Sequence, residues 1–504
     1  MRLLPIAFLA ACGGAQNPSN SGDQARAPGE VATYSALRWV PDAPAYVMSA
    51  ATVGDGQRAV RDVIESLGLI VAHATPDDVS QAAHALLGID PLGADLGQLL
   101  GVDLAGGVAM FSEAVSPTFA LHLAAPQTTR AFFDHLRSIG MHSTARTVDG
   151  VQVDSAPLRD GVTASWAIDG DWFLFHVALA AFDDNDPDAW LVHARHHASA
   201  KPSWIDGFEW ATRLARHAKP LAGFWNAHAT LAKLARIAGD NHGLAAWASC
   251  ITALGAIDRV GVAMSGDGHF VEGRLAFELG PAARSAASSI VASSIVAPPP
   301  GFAGLAAHAP LAVQWNFAIE ALATSGVAPC FKAADIDIGG FAELGVRTAR
   351  AVVETFSPEP PSGTGAVSLD LTSRTHVAKL LDEIPRVAFQ SERAFGRYKG
   401  VHVSLPLVAS MDYVLDDRVA IAAMGDGVLD QLVAGAPPSN VPIFAFDIRP
   451  PGLSEATWHF MFDALFGKHT AELMTTELEH WLDGHISLAI DQDALVLDAS
   501  GNRR

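Results

Sequence analysis

The 504-residue chain is 50% hydrophobic and 17% charged, a globular composition that excludes a disordered polymer. Its 33 basic and 54 acidic residues give a formal charge of -21, which repels phosphate backbones and argues against a nucleic-acid partner. Mean hydropathy is +0.23, but much of the apolar content is alanine. No run past residue 12 reaches the roughly 18 uninterrupted apolar residues that a spanning helix needs.

The first element is a processing segment. Met1-Arg2 supplies a positive start and Leu3 to Ala11 a short apolar run, interrupted by Pro5. Leu9-Ala10-Ala11-Cys12-Gly13 then resembles a bacterial lipobox, in which small residues admit a signal peptidase and the cysteine thiol takes a thioether-linked diacylglycerol. Residues 1–11 therefore read as a signal peptide and Cys12 as the lipidation site. Residues 12–36, rich in Gly, Asn, Ser, Gln, Pro and Ala, read as lipidated cysteine and flexible tether. Gly14, two residues after the cysteine, stands where well-studied inner-membrane lipoproteins carry aspartate. By that resemblance the protein is expected at the outer membrane, facing periplasm or cell surface. Its expected partner is the membrane, through the lipid on Cys12.

Four similar strands follow: Ala45–Ser49, Pro220–Asn226, Pro310–Asn316 and Pro442–Asp447. The second and third share P-L-A-x-x-W-N, and the closing Asn or Asp suits a cap for the next helix. Val60, Val63, Ile64 and Leu67 recur at helical spacing, as do Leu231, Leu234 and Ile237. The helix after the third strand is weakly marked. After the fourth, a helix is predicted from Leu453 to about Leu482. Each stretch leads into two alternating runs: Gly107–Phe111 with Thr118–Ala124, Val260–Ser265 with His269–Leu279, Val346–Phe356 with Gly365–Leu371, and His485–Ile490 with Ala494–Ala499. The unit is strand, helix, hairpin, written four times; chance likeness of short alternating strands is the alternative.

A second element occurs twice. Arg130–Ile139 precedes Val148-Asp149-Gly150-Val151-Gln152-Val153, and Thr375–Ile384 precedes Tyr398-Lys399-Gly400-Val401-His402-Val403; a hairpin follows each. The expected fold is α+β. It has two homologous halves, 37–297 and 298–504, each of mainly antiparallel sheets with helices packed on sheet faces. The join is Val296-Ala297-Pro298-Pro299-Pro300-Gly301. With Val40-Pro41-Asp42-Ala43-Pro44-Ala45-Tyr46 at the opening and Tyr398-Lys399-Gly400-Val401 further on, the ordering resembles predicted envelope lipoproteins of myxobacteria and related bacteria. That resemblance implies an envelope location; it implies no reaction and carries over no catalytic residue.

Two cysteines remain after Cys12. Cys250 and Cys330 could pair in an oxidising compartment and staple the halves, or stay as buried thiols. His193-x-x-His196-His197 follows an acidic run, Asp183-Asp184-Asn185-Asp186-Pro187-Asp188. On a helix, His193 and His196 or His197 share a face, which makes a weak metal site. Counted from Asp184, position six is Ala189 and position twelve Arg195, so a calcium loop is excluded. The alternative is a surface helix begun at Asp186-Pro187. His459, His469 and His480 fall at irregular offsets and read as surface. Trp225 and Trp315 read as core ahead of a carbohydrate platform.

The chain has no G-x-S-x-G, H-E-x-x-H, P-loop or G-x-G-x-x-G opening a helix, and no cofactor is expected. The expected function is a lipid-anchored, non-catalytic binding or scaffold module. The alternatives are a hydrolase with an unrecognised site and an accessory subunit of an envelope assembly or export machine.

Overall fold

The computed structural model describes residues 34–71, 75–87, 89–180, 188–196, 204–214, 221–228, 230–231, 245–266, 269–281, 284, 294–323, 328–333, 345–358, 361–382, 389–405, 409–436, 438, 441–466, 471–472, 475–476, 478–491 and 494–504. Cys12 and His197 lie outside these residues. The protein is an α+β fold dominated by antiparallel sheet with helices. It divides into two compact units. Among the described residues, the first holds 34–231 and 257–278, and the second 245–256 and 279–504. The second unit thus takes the helix Ala245–Leu254, which the sequence boundary at 297/298 gives to the first.

The first unit carries β1 (Tyr46–Ala50), β2 (Val108–Ser112), β3 (Thr118–His122), β4 (Thr144–Val148), β5 (Val151–Arg159), β6 (Val162–Asp169), β7 (Trp172–Leu179), β8 (Leu221–Asn226), β9 (Ile257–Gly266) and β10 (Phe270–Leu279). Their order in the sheet is β4-β5-β6-β7-β3-β2-β1-β8-β9-β10. The pairings from β4 to β9 are antiparallel. Both faces are covered, so neighbours on one strand serve different cores. Phe173 packs with Trp166 under Phe133 of the helix Pro126–Ser138. Trp172 and Leu174 pack on the other face with Trp190 and Leu191 of the helix Ala189–His196 and Phe208 of the helix Trp204–Leu214. Phe133 stacks on Trp166 with ring centroids 4.3 Å apart. Tyr34, Ala36 and Leu37 are buried in that second core, so residues 34–36 belong to the body and not to the tether.

The second unit carries β11 (Leu311–Trp315), β12 (Val346–Pro358), β13 (Pro361–Leu371), β14 (Phe389–Phe395), β15 (Tyr398–Leu405), β16 (Ala409–Leu415), β17 (Val419–Met424), β18 (Phe444–Ile448), β19 (Trp481–Asp491) and β20 (Ala494–Arg503). Its order, β14-β15-β16-β17-β13-β12-β11-β18-β19-β20, repeats that of the first unit strand for strand, with antiparallel pairings throughout. The helices Phe302–Ala306 and Val428–Val433 cover one face over Ala312, Val352, Val414 and Ile421. Trp458 and Phe462 of the helix Glu455–Phe466 pack with Leu311 and Ile448.

The registers agree as well as the order. From β4 to β7 each pair has its counterpart 247 residues on: Val148↔Val151 and Phe395↔Tyr398, Ser155↔Ser165 and His402↔Asp412. The sequence likeness sets Gly150-Val151 against Gly400-Val401, three residues out of this register. The two glycines therefore do different work. Gly150 closes the β4–β5 turn behind Asp149, with φ at 79° and 49° respectively, a turn that favours glycine. Gly400 lies inside β15, where an added Cβ would stand 2.4 Å from the Tyr413 carbonyl oxygen and 2.9 Å from the Phe395 ring.

Other expectations change in the structure. Val60 is 39% exposed, while Ala59 and Asp62 on the same helix are buried. Asn316 and Asp447 do not cap helices. Asn316 is buried and binds Arg350, and Asp447 stays in β18 and meets His485 on β19. The last helix is described only over Glu455–Phe466, and Trp481 already belongs to β19. The helix Pro76–Leu87, unmarked by apolar spacing, begins with a capping box. There the Thr75 hydroxyl accepts from the Asp78 amide, while the Asp78 carboxylate accepts from the Thr75 amide and hydroxyl. Those bonds hold the Asp78 carboxyl below its ordinary value.

Candidate functional site

Three polar constellations stand on the sheet face covered by the helix Val428–Val433 or on its counterpart in the first unit. The first is built by one antiparallel pair. His402 of β15 lies directly opposite Asp412 of β16, and Ser404, two residues on, shares the face of His402. The imidazole Nδ1 is 2.7 Å from Asp412 Oδ1 and Nε2 is 3.1 Å from Ser404 Oγ. A carboxylate accepts only, so Nδ1 carries the ring proton and Nε2 accepts from the Ser404 hydroxyl. Asp412 is 4% exposed, the imidazole 28%. The carboxylate is held away from solvent while the ring and hydroxyl reach it. Across β14, Ser391 stands opposite His402 and Phe389 opposite Ser404. Phe389 is 75% exposed. Nucleophile, base and orienting acid are thus in hydrogen-bond sequence, the arrangement in which a hydroxyl can pass its proton to an imidazole.

The second constellation surrounds Arg350, which is 2% exposed. It donates from Nε to Asn316 Oδ1 at 2.5 Å, from Nη1 to Asp370 Oδ2 at 2.6 Å and from Nη2 to the Val296 carbonyl at 2.7 Å. Asn316 in turn donates to Gln314 Oε1 and the Pro442 carbonyl, both at 3.0 Å, and the Thr348 hydroxyl donates to Asp370. Burial pulls the Arg350 guanidinium below its ordinary value, and Asp370 opposes that shift. Every nitrogen of the guanidinium has a partner, so this is a closed structural network.

In the first unit, His122 lies between two carboxylates, Nδ1 3.1 Å from Asp103 Oδ2 and Nε2 3.1 Å from Asp171 Oδ2, edge-on to Trp172. Both of its ring nitrogens are taken by carboxylates, so among the described residues neither is bonded to a hydroxyl or thiol. Tyr46, at the start of β1, donates to the Val115 carbonyl at 3.2 Å, and its burial pushes the phenol up to about 12.

The helix Ala189–His196 brings His193 and His196 to different partners. His193 Nδ1 is 2.7 Å from Glu113 Oε2, and His196 Nε2 is 2.5 Å from Asp149 Oδ2. Arg195 between them donates to Asp169 at 2.7 Å and to the Asp149 carbonyl at 2.8 Å. The histidines dock the helix against the sheet; among the described residues no group of three His, Cys, Asp or Glu side chains converges on a metal position. Trp315 is half-buried and tilted against Phe444, and Trp225 is half-buried on β8. Cys250 and Cys330 are joined, S–S 2.14 Å, between the helices Ala245–Leu254 and Ala328–Ala333. Both belong to the second unit, so the bond closes a loop within that unit and does not staple two halves.

Ser404, His402 and Asp412 match no catalytic motif of the sequence. The only available signal was His-x-Ser on one strand and an aspartate ten residues after the histidine on the next, spacing shared with many hairpins.

No protein-family model and no curated protein matches the chain. Among solved structures, three crystal forms of TP0453 align over 52–53% of this chain and 87–88% of theirs, at 10–12% identity and a TM-score of 0.27. Similarity at that level says nothing of what this chain does.

Proposed function

We propose that this chain is an exported envelope lipoprotein, acylated at Cys12 and held at the outer membrane, whose folded body is a binding or scaffold module. The observation that carries the reading is the Cys250–Cys330 bond. Disulfides persist in oxidising compartments and are rare where glutathione keeps thiols reduced. That supports export independently of Leu9-Ala10-Ala11-Cys12-Gly13. The polar, glycine- and serine-bearing segment between Cys12 and Tyr34 has the composition of a leash. We further propose that the body arose by duplication. Matching strand order and the constant 247-residue spacing of four successive strands support that origin.

The test is expression in a Gram-negative host with labelled palmitate, followed by fractionation and intact-mass analysis. The expected product lacks residues 1–11, carries label at Cys12, sediments with outer membranes and shows no alkylatable thiol before reduction. Cys12→Ser should be unlabelled and should leave the membrane fraction. Unprocessed, unlabelled protein in the cytosol with two free thiols would overturn the proposal.

A further inference from the structure

The geometry points to a second property of the body: Ser404, His402 and Asp412 form a hydrolytic site for carboxylic esters of apolar acids. This departs from the non-catalytic body expected from the absent motifs, and it does not depend on anchoring. Three observations support it. The hydroxyl, imidazole and carboxylate are in series at 3.1 and 2.7 Å. The orienting carboxylate is 4% exposed, where it can hold one imidazole tautomer. An apolar side chain, Phe389, stands 75% exposed across from the serine, available to an acyl chain.

The matching positions of the first unit sharpen the case. There Ser155 and Ser165 form a buried Oγ–Oγ contact of 2.8 Å, and Pro157 occupies the place of Ser404. A simple cross-strand bond suffices for the fold at this point. The second unit instead places a base, an acid and a nucleophile there, more than the hairpin needs.

The step balances without any cofactor. Ser404 Oγ forms a bond to the ester carbonyl carbon while its proton passes to His402 Nε2. The tetrahedral intermediate collapses, the carbon–alkoxy bond breaks, and the alkoxide leaves as alcohol with the proton from Nε2. Water then attacks the acyl-serine, gives its proton to Nε2, and releases the acid as Ser404 recovers its hydrogen. Ser391 stands opposite His402 on the same face with no side-chain hydrogen bond among the described residues, and its hydroxyl is the donor we assign to the developing oxyanion.

The full chain, with trypsin as internal control, is incubated with a biotinylated fluorophosphonate and mapped by peptide mass. The expected result is labelling of Ser404 and slow turnover of p-nitrophenyl butyrate. Ser404→Ala abolishes both. His402→Ala lowers labelling at least about 100-fold, the scale of a lost general base. Asp412→Asn does likewise, and Asp412→Glu recovers part of the loss, which a merely structural role would not produce. Ser391→Ala slows turnover by about 100-fold, the scale of one oxyanion donor. Thermal unfolding of each variant checks that the body is folded. No label on Ser404 while trypsin is labelled, or equal labelling in folded His402→Ala, overturns the proposal. Cys12→Ser should label as the parent does, so failure here and failure of anchoring are separate results.

Discussion

The two units lay ten strands in one order and largely one register, yet fill equivalent positions with different chemistry. The five-residue ladders of β1 with β2 and β11 with β12 correspond end for end. Where the first unit opposes Ser49 to Ala109, the second opposes Gln314 to the buried Arg350. Where the first has fully buried Val153 in β5, the second has Gly400, roofed by the Phe395 ring. Where the first has the Ser155–Ser165 contact, the second has His402–Asp412. Among the described residues, the core under the helices of the first unit gathers Trp172, Trp190, Trp204 and Phe208, whereas the equivalent core of the second sets Phe302 and Phe395 among Leu, Val, Ile and Ala beside a closed ionic network. Strand order tolerates either filling, because it is set by backbone pairing and by which face each residue takes.

The strongest way to break this comparison is at Arg350. Arg350→Met strands Asp370 and Asn316 without their cation and should destabilise the second unit by about 3–5 kcal/mol, read by urea unfolding. Adding Asp370→Leu should restore much of the loss, since a packed apolar pair can replace a buried ion pair. An equal loss in the double variant would show that the network does more than satisfy itself. The disulfide comes next. Cys250→Ser removes closure of a loop spanning 80 residues and should lower stability by about 4 kcal/mol in chain-entropy terms. The denaturation midpoint of the parent should fall on reduction, and that of the variant should not respond.

Alkaline pH should distinguish the first unit. The Tyr46 phenol, pushed up to about 12 by burial, is an acid whose neutral form is favoured in the folded state. Below pH 10 both folded and unfolded forms are neutral and stability is unaffected. Between pH 10 and 12 the unfolded chain ionises first, so stability falls, by about 3 kcal/mol at most. Tyr46→Phe should flatten that decline in a pH series of chemical denaturations. The smallest effects test the exchanged packing. Gly400→Val, which imports the residue of the first unit, should cost about 1–3 kcal/mol through collision with Phe395 and the Tyr413 carbonyl. Val153→Ala should cost a similar amount by opening a cavity.

Much of the strand content was legible because apolar alternation and hairpin turns are local signals. Thr118–Ala124 fell within a residue or two of β3, and Pro310–Asn316 and Val346–Phe356 of β11 and β12. Several helices were not, among them Trp204–Leu214 and the short Phe302–Ala306 and Val428–Val433, the last two spanning too few turns for a helical period to show. Their place is fixed by the sheet face beneath them. The G-V-x-V likeness was real in letters and wrong in register, since one glycine serves a turn and the other a close ring contact.

The sequence by itself determined the alternation of strands and hairpins and with it the α+β class, because both are written in neighbouring residues, and its composition fixed the net acidic charge. Only the tertiary structure decided that Arg350 meets Asn316 and Asp370, that Cys250 reaches Cys330 within one unit, and that His193 and His196 part company. The same holds for the alignment of Ser404, His402 and Asp412. Each depends on strand register or helix docking: a shift of a single residue sends a strand side chain to the opposite face and swings a helix side chain about 100° around the axis.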